Sequence, residues 1–365
     1  MKATIVGAGP AGLSTAILLK RLLGADVRII EASAEGDAPG FGIALLAFGL
    51  DYLRMLELGG YADFAGQCLP IDHVTHAFAR TFGSSDLTAQ TRIQDTQYWG
   101  VRRSLLLEFL ANGARQAGVA IEYGSDVTGH RVRQEQESCD VLIGADGAGS
   151  IVRNSFAEAF DFKAEPSTSR YAWLAVEGHR GTFNFGYCHF PGRGLTRITS
   201  YPHAPDECTA IVTHNAGMTE FFDQPDMIDG DRFISDKGIG VLNDMFSDGL
   251  GGRRIVGRSK WRRFRASHCG QAAFGNVALV GDAFASVFYE TGWGTSAALQ
   301  ESRILAQALL KRDTAGAALD LYNRKSVEIS AGLIEATNRT MKEVDGHSAR
   351  FDQLGPLRFL ETFPA

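Results

Sequence analysis

The residues whose types and spacing best predict chemistry lie at the start of the chain, in the run Gly7-Ala8-Gly9-Pro10-Ala11-Gly12. A short apolar strand at 3–6 precedes this run, an amphipathic helix follows it, and a second strand at 27–30 ends in Glu31. Gly7 permits the tight turn, Gly9 lets the backbone approach a pyrophosphate, and Gly12 lets the helix pack on the strand. The helix N-terminus attracts phosphate, and Glu31 can accept hydrogen bonds from ribose hydroxyls. The complete unit predicts a dinucleotide site, although GxGxxG alone would fit any tight strand–helix turn.

Glycine-rich turns also follow two later apolar strands, at 139–145 and 276–281. They contain the pairs Asp146-Gly147 and Gly281-Asp282, and the second leads into Gly292-Trp293-Gly294-Thr295. An acid at a strand end can bind a polyol hydroxyl, and glycine lets the chain lie against the ligand. The turn at 292–295 opens a helix and offers N–H donors to an anion or a ring carbonyl. Each turn alone could be structural, but the carboxyl ends of strands form the ligand-binding edge of open α/β sheets.

The elements that must position these turns alternate between two patterns. Helical periodicity occurs at 50–58, 101–117 and 294–311 and continues to about 344, with a further strand at 119–123. Residues 69–99 and 160–266 are rich in alternating polar and apolar residues, as in an antiparallel sheet with one wet face. The sequence therefore predicts an α/β fold in which a Rossmann-like parallel-sheet domain carries an inserted, mostly antiparallel β domain. The predicted boundaries are 1–68, 96–158 and 268–345 for the first domain, 69–95 and 159–267 for the second, and 346–365 for a C-terminal tail.

Composition limits the class of protein. The 365 residues allow two domains or one large domain with an insertion, and 45% hydrophobic residues suffice for a core. A net charge of −6 favours neither nucleic acid nor an anionic membrane as a partner. The five cysteines show no paired spacing and predict neither a metal site nor disulfides. With a strand beginning at residue 3 and no apolar run long enough to span a bilayer, we expect a soluble cytoplasmic protein.

Three of these stretches match the fingerprints of one family. GAGPAG, DVLIGADGAGSIVR and VALVGDA resemble those of the single-component FAD-dependent aromatic monooxygenases, the flavoprotein hydroxylases, whose fold is that of para-hydroxybenzoate hydroxylase. The resemblance covers about residues 1–345. It is nearest to the branch with the violacein-pathway hydroxylases and salicylyl-CoA 5-hydroxylase, on GFGIAL near residue 40, GVRRSLLLEFL at 100–110 and WRRF at 261–264.

The resemblance implies a reaction. NADPH or NADH reduces FAD, O2 adds at flavin C4a, and the hydroperoxide hydroxylates an electron-rich aromatic small molecule, CoA- or carrier-linked substrates included. A reductase or dehydrogenase without oxygen insertion is the alternative. A flavin-dependent halogenase is disfavoured because no lysine occurs between Lys20 and Lys163 and no WxWxIP-type signature exists. Three intact fingerprints disfavour a non-catalytic FAD-binding protein.

The resemblance also implies which residues hold the cofactor, mostly through backbone groups. The glycine run at 7–12 would hold the FAD pyrophosphate, Glu31 with Ala32 the adenosine ribose, and the Val127 backbone the adenine. Asp282 would bind ribitol or phosphates, and the turn 292–295 the pyrimidine edge of the flavin. Three further positions complete the set: Gly42 and its neighbours beside the isoalloxazine, Arg103 (or its neighbour Arg102) at a phosphate or ribitol, and Asp146-Gly147 in a mixed FAD and nicotinamide role.

Candidates for substrate binding and catalysis are less specific. Tyr289 and Glu290 precede the flavin turn, where a carboxylate could deprotonate a phenol or accept a hydrogen bond from an aniline. The commoner role of such an acid is a solvated loop residue or a charge at a helix N-terminus. Arg197, Thr199 and Tyr201 alternate on one face of a predicted strand, an arrangement that could bind a carboxylate or a polar ring substituent but could equally be the wet face of the sheet. The other candidates, whose commoner role is structural, are Trp173 and Phe190 for an aromatic pocket and His214 for catalysis.

The sequence departs from the family pattern around the last fingerprint. Phe284-Ala285, Tyr289 and Ser296 stand where many relatives have Ala-His, proline and asparagine, and the resemblance places these positions around the reaction face of the flavin. Seven basic residues also fall within 253–265. They predict either a solvated surface or a phosphate-binding patch for NADPH, a CoA thioester or an acidic carrier protein.

Overall fold

The computed structural model describes residues 1–38, 40–81, 87–88, 93–178, 181–215, 217–218, 222, 233–245 and 254–363, and the statements below concern these residues. Sixteen strands form two sheets. They are β1 Lys2–Val6, β2 Asp26–Ile30, β3 Gly42–Leu46, β4 Leu69–Thr81, β5 Leu87–Thr88, β6 Ile93–Arg102, β7 Ala120–Glu122, β8 Val141–Gly144, β9 Phe162–Glu177, β10 Phe183–Phe190, β11 Gly194–Ala204, β12 Glu207–His214, β13 Ile255–Arg258, β14 Arg262–Cys269, β15 Ala273–Phe274 and β16 Val277–Leu279.

The described α-helices number ten. They are α1 Pro10–Leu23, α2 Ala47–Met55, α3 Tyr61–Gly66, α4 Arg103–Gln116, α5 Gly129–Ser138, α6 Ile151–Ser155, α7 Ala157–Phe160, α8 Asp236–Met245, α9 Gly294–Leu310 and α10 Ala315–Leu360. Within the described part of the chain, no helix is long and apolar enough to cross a membrane.

The smaller sheet has six strands in the order β15-β16-β8-β1-β2-β7 and is parallel except for the β15–β16 pair. The sequences of its central strands are continuous apolar runs, as is typical of parallel strands whose sheet is covered by helices on both faces. Helix α1 packs tightly on this sheet: a Cβ on Gly12 would lie 2.0 Å from the Gly7 carbonyl oxygen. The glycine at that position is therefore required by packing, as the spacing predicts.

The larger sheet runs β13-β9-β12-β11-β10-β4-β6-β3, with β14 paired to β9 and β5 to β4. All pairings are antiparallel except β10–β4. The predicted fold class is thus confirmed. The strand pairing also shows that residues 42–46 and 93–102 extend this larger sheet, whereas the domain boundaries themselves stay a prediction.

Local boundaries differ from the sequence predictions in three places. The predicted helix 101–117 begins at Arg103, because Val101 and Arg102 pair with β3 as the end of β6. Helix α5 was not predicted, since its sequence is almost wholly polar; Thr128 caps it by accepting a hydrogen bond from Arg131 N at 3.3 Å. Residues 346–360, expected as a tail, continue α10, with a non-helical φ of 70° at Gly355.

Candidate cofactor and substrate site

A cavity of about 690 Å³, here called the nucleotide cavity, lies at the carboxyl edge of the small sheet. Its wall includes eight of the residues predicted to hold the cofactor: Gly7, Gly9, Glu31, Ala32, Arg103, Val127, Asp146 and Gly147. The Glu31 carboxylate is oriented by two backbone donors, Ala8 N at 2.6 Å and Ser33 N at 2.8 Å. An acid is therefore held at the end of β2, beside the glycine turn.

A second cavity of about 280 Å³, the central cavity, adjoins the first, since both are lined by Gly9, Arg103 and Gly147. The N-termini of α1 and α9 open onto it and carry free N–H donors. The predicted residues found here are Pro10, Ala11, Gly281, Asp282, Gly292, Gly294 and Thr295, together with Trp173, Tyr201 and Tyr289. Trp293, predicted with them, is not in this wall; its ring packs on Phe48.

The two neighbouring arginines, Arg102 and Arg103, take different positions relative to the cavities. Arg103 lines both cavities, and its charge opposes the desolvation that raises the pKa of the Asp282 carboxyl to about 6. Arg102 lies on the other side of the chain, 3.2 Å from the Glu207 carboxylate in a half-exposed pair. The structure thus brings Arg103 into the site and leaves Arg102 outside, because Arg102 ends a strand and Arg103 begins a helix.

The Asp146 carboxylate is occupied by the chain itself. It accepts hydrogen bonds from Ser150 Oγ at 2.5 Å, Ile151 N at 2.6 Å and Val152 N at 3.2 Å, and so caps α6. Arg153 follows, is buried, and donates to the carbonyls of Ala148 and Ala283 at 2.7 and 3.3 Å. Arg153 therefore connects the glycine turn after β8 with the glycine turn after β16, while Gly147 lines the nucleotide and central cavities.

A third cavity of about 230 Å³, the outer cavity, adjoins the central one through shared Phe183 and Gly292. Its wall is aromatic, with the rings of Tyr98, Phe183, Phe185 and Tyr187, and is completed by Thr340, Glu343, His347 and Phe363 on the side of α10. Arg197 and Glu290 meet there in an ion pair whose side chains are only 5% and 4% exposed. Two residues suggested separately by the sequence thus form one buried pair.

The chain matches the family described as FAD binding domain over residues 1–337. It belongs to this family. A curated relative is 3-hydroxy-4-methyl-anthranilyl-[aryl-carrier protein] 5-monooxygenase of Streptosporangium sibiricum, 27% identical over 88% of this chain and 83% of the relative. Salicyloyl-CoA 5-hydroxylase of a Streptomyces species is 27% identical over 89% of this chain but only 62% of its own length. Among solved structures, 2-methyl-3-hydroxypyridine-5-carboxylic acid oxygenase shares the fold, with a TM-score of 0.69 and 23% identity over 96% of this chain and 91% of that one.

The protein is therefore an FAD-dependent aromatic monooxygenase, as the resemblance implies, and NAD(P)H is the cosubstrate typical of this family. The cavities fit the flavin cofactor. A Cβ added to Gly9 would meet no protein atom within 4 Å, so this residue leaves space at the junction of two cavities. The adjoining cavities, two helix N-termini and Arg103 suit an elongated dinucleotide with a pyrophosphate at its centre.

The remaining predicted side chains of this flavoprotein divide between the two faces of the large sheet. Tyr289 bonds Thr213 Oγ1 at 2.9 Å, and Tyr201 donates to the Gly42 carbonyl at 3.0 Å. Burial raises the pKa of both tyrosines, so they stay protonated and act as hydrogen-bonding groups rather than bases. Thr199 shares the face of Tyr201 and is buried, but it lines neither the central nor the outer cavity.

Phe190 and His214 lie on the opposite face. Phe190 belongs to an apolar cluster with Phe78 and Leu174. His214 lies between Phe222 and Trp261, at ring distances of 5.1 and 4.6 Å, and burial lowers its pKa to about 4, which keeps it neutral. Strand alternation explains both placements, because successive side chains of a strand point to opposite faces of the sheet. Phe190 and His214 occupy even-numbered positions, whereas the side chains on the cavity side of the same strands are at 183, 185, 187 and 213.

Some residues of this site escaped the sequence reasoning. The alternating rings of 183–187, in FNFGY, carried a usable signal, whereas His347 and Phe363 reach the outer cavity only through the path of the C-terminal segment. Glu301 on α9 was also missed. It is buried behind the Gly281-Asp282 turn and accepts a hydrogen bond from Gly281 N at 2.6 Å, and burial raises its pKa to about 8.

The basic run at 253–265 is partly neutralised. Arg254 Nε lies 2.9 Å from Glu177, and Arg258 lies 2.7 Å from Asp236. Arg253 lies outside the described residues. At least two of the seven positive charges are thus paired at the surface, and the phosphate-binding interpretation of the run stays a prediction.

Proposed function

We propose that this monooxygenase hydroxylates an aromatic ring that carries a hydroxyl or amino group and whose acyl group is uncharged, as in a CoA or carrier-protein thioester. The observation that carries the proposal is the buried Arg197–Glu290 pair in an aromatic cavity next to the central cavity. In this proposal FAD occupies the nucleotide and central cavities, and the substrate ring occupies the outer one.

The aromatic wall supports binding of a flat ring. Phe183, Phe185 and Tyr187 project from one strand face, and Tyr98 stands 5.8 Å from the Phe183 ring. Offset and tilted ring contacts of this kind favour an aromatic ligand and exclude water from the reacting face. Bound FAD supplies the redox and oxygen chemistry, and the role of these residues is to orient and enclose the ring.

Charge decides which rings fit. The Arg197 guanidinium already faces Glu290, so the buried pair contributes no net positive charge, and the exposed Glu343 adds a negative one at the wall. A free carboxylate would have to compete with Glu290 in a medium where unpaired charge is costly. A neutral acyl group avoids that competition, while Glu290 can accept a hydrogen bond from a ring hydroxyl or amine.

Two curated relatives, those named above, support the same substrate class, since their names specify an aryl-carrier-protein substrate and a CoA substrate. A thioester arm also needs a passage beyond the ring site. The outer cavity continues past the ring residues to Thr340 and Glu343 of α10, and the latter is exposed to solvent. We place the reaction in the cytoplasm, where NAD(P)H is supplied, and cell fractionation tests that location.

The decisive experiment compares matched acyl forms. The holoprotein is incubated with NADPH or NADH, ¹⁸O₂, and salicylate or 3-hydroxyanthranilate, each as free acid, as CoA thioester and as pantetheine thioester. We expect thioester-stimulated NAD(P)H oxidation and one ¹⁸O in the product. Faster coupled turnover of the free acids would refute the substrate class. Oxidation of substrate without ¹⁸O incorporation would instead indicate a dehydrogenase.

A further inference from the structure

A buried polar chain adjoins the central cavity at the start of β3. Thr209 Oγ1 accepts a hydrogen bond from Gly42 N at 2.8 Å, and the Tyr201 hydroxyl donates to Gly42 O at 3.0 Å. The next two residues, Ile43 and Ala44, line the central cavity, although Gly42 itself does not. Both backbone groups of Gly42 are therefore held by side chains of the large sheet, and this sets the position of the cavity wall.

The chain continues to the surface. His203 Nδ1 lies 3.1 Å from Thr209 Oγ1, and His203 Nε2 lies 3.3 Å from Glu207 Oε2. Thr209 accepts from Gly42, so its own proton is available to Nδ1, and Nε2–H then donates to Glu207. This assignment of protons makes every hydrogen bond run in one direction, from the Gly42 N–H to a carboxylate whose side chain is 34% exposed.

The order hydroxyl, imidazole and carboxylate is also that of a nucleophilic triad. Three observations exclude that role. Thr209 is fully buried, and its oxygen already accepts the Gly42 N–H. Moreover, a Cβ on Gly42 would lie 2.1 Å from the Cβ of His203, so the Gly42 backbone packs directly against the imidazole and closes the approach.

We propose that Thr209, His203 and Glu207 form a positioning relay that holds Gly42 and, through it, the Ile43–Ala44 wall against the flavin. Glu207 also pairs with Arg102, which is opposite Gly42 in the β3–β6 register and precedes Arg103 of the cofactor cavities. The relay therefore restrains two walls of the same cavity. The inference rests on the proposed placement of the flavin in the central cavity and is independent of which ring is hydroxylated.

The test measures the FAD dissociation constant of the apoprotein and the visible absorption spectrum of the bound flavin. T209V leaves a buried N–H without an acceptor, so we expect the constant to rise about tenfold or more, with an altered spectrum. T209S keeps the hydroxyl and should restore both. E207Q acts only through His203 and Arg102 and should raise the constant about two- to fivefold. D206N is the matched control, because it removes the same charge from the adjacent exposed residue outside the relay.

E207Q keeps the proposal falsifiable even if T209V folds poorly, since Glu207 is partly exposed. The relay is refuted if E207Q and D206N give the same FAD affinity and spectrum. It is also refuted if T209V lowers the unfolding temperature of the apoprotein while FAD binding and spectrum stay at wild-type values. If the affinity shifts occur but no thioester is hydroxylated, the relay stands and the proposed substrate class fails.

Discussion

The nucleotide cavity and the outer cavity are made from different parts of the polypeptide. The first is built largely from backbone at strand ends, where Gly7, Gly9 and Gly147 leave room and helix N-termini supply donors. The second is built from side chains of separate strands and the C-terminal segment, including Phe183, Arg197 and Phe363. A site made of backbone turns leaves a contiguous motif in the sequence, and a site made of distant side chains does not.

The largest expected effect concerns the charge pair of the outer cavity. R197M and E290M each leave one buried charge without its partner, so each should lower the free energy of unfolding by about 3–5 kcal/mol and abolish turnover. The double variant R197M/E290M removes both charges and should be more stable than either single variant. Urea unfolding of all three proteins measures this. Additive losses in the double variant would show that the two side chains do not interact.

The backbone character of the cofactor site predicts a different outcome for Gly9. Its φ of −73° and the empty space around its Cβ position allow a larger side chain in the apoprotein. G9V should leave apoprotein stability within about 0.5 kcal/mol of wild type. It should weaken FAD binding about tenfold or more, because the side chain enters the cavity.

G12A is the contrasting variant for that experiment. Its Cβ would meet the Gly7 carbonyl at 2.0 Å, so it should lower the unfolding temperature of the apoprotein itself. Thermal unfolding without FAD, followed by FAD titration, separates the two effects. A G9V apoprotein as unstable as G12A would contradict the assignment of Gly9 to a ligand-facing position.

Arg102 and Arg103 test whether a residue must lie in the cofactor cavities to affect FAD affinity. R103M should weaken FAD binding about tenfold, the effect of losing a charge-assisted contact in a buried site. R102M removes the same charge from a half-exposed pair with Glu207 and should change the affinity by no more than about two- to fivefold. FAD titration of both apoproteins distinguishes them, and equal effects would mean that general electrostatics, not position, governs binding.

The last expected effect is the pH dependence that Glu301 contributes. Burial raises its pKa from 4.5 to about 8, so between these values the folded state binds a proton that the unfolded state does not. Apoprotein stability should therefore fall as pH rises through this window, by up to about 1.4 kcal/mol per pH unit. E301Q stays neutral and should flatten the profile. Parallel unfolding curves for E301Q and wild type from pH 5 to 8 would refute this origin.

Sequence reasoning was most successful where the chemistry is local. The turn at 7–12, Glu31 and the turn at 292–295 are each defined by neighbours in the chain, so their spacing predicted where they stand relative to strands and helices. Their role in holding the cofactor stays a prediction. The Arg102 or Arg103 ambiguity could not be resolved that way, because it depends on the residue at which β6 gives way to α4. For Phe190 and His214, the alternation of side chains along each strand could be predicted from the sequence. Which of the two faces of the sheet meets the cavity could not.

The sequence by itself determined the cofactor frame of this monooxygenase, because a dinucleotide is held by strand–turn–helix units whose parts are close in the chain. Tertiary structure alone decided the substrate side. Only the packing of α10 and the C-terminal segment against the large sheet brings His347 and Phe363 to the rings of 183–187. Only the approach of the turn before α9 to β11 turns Glu290 and Arg197, ninety-three positions apart, into one buried pair. Such contacts follow from how whole sheets and helices pack, which no local spacing records.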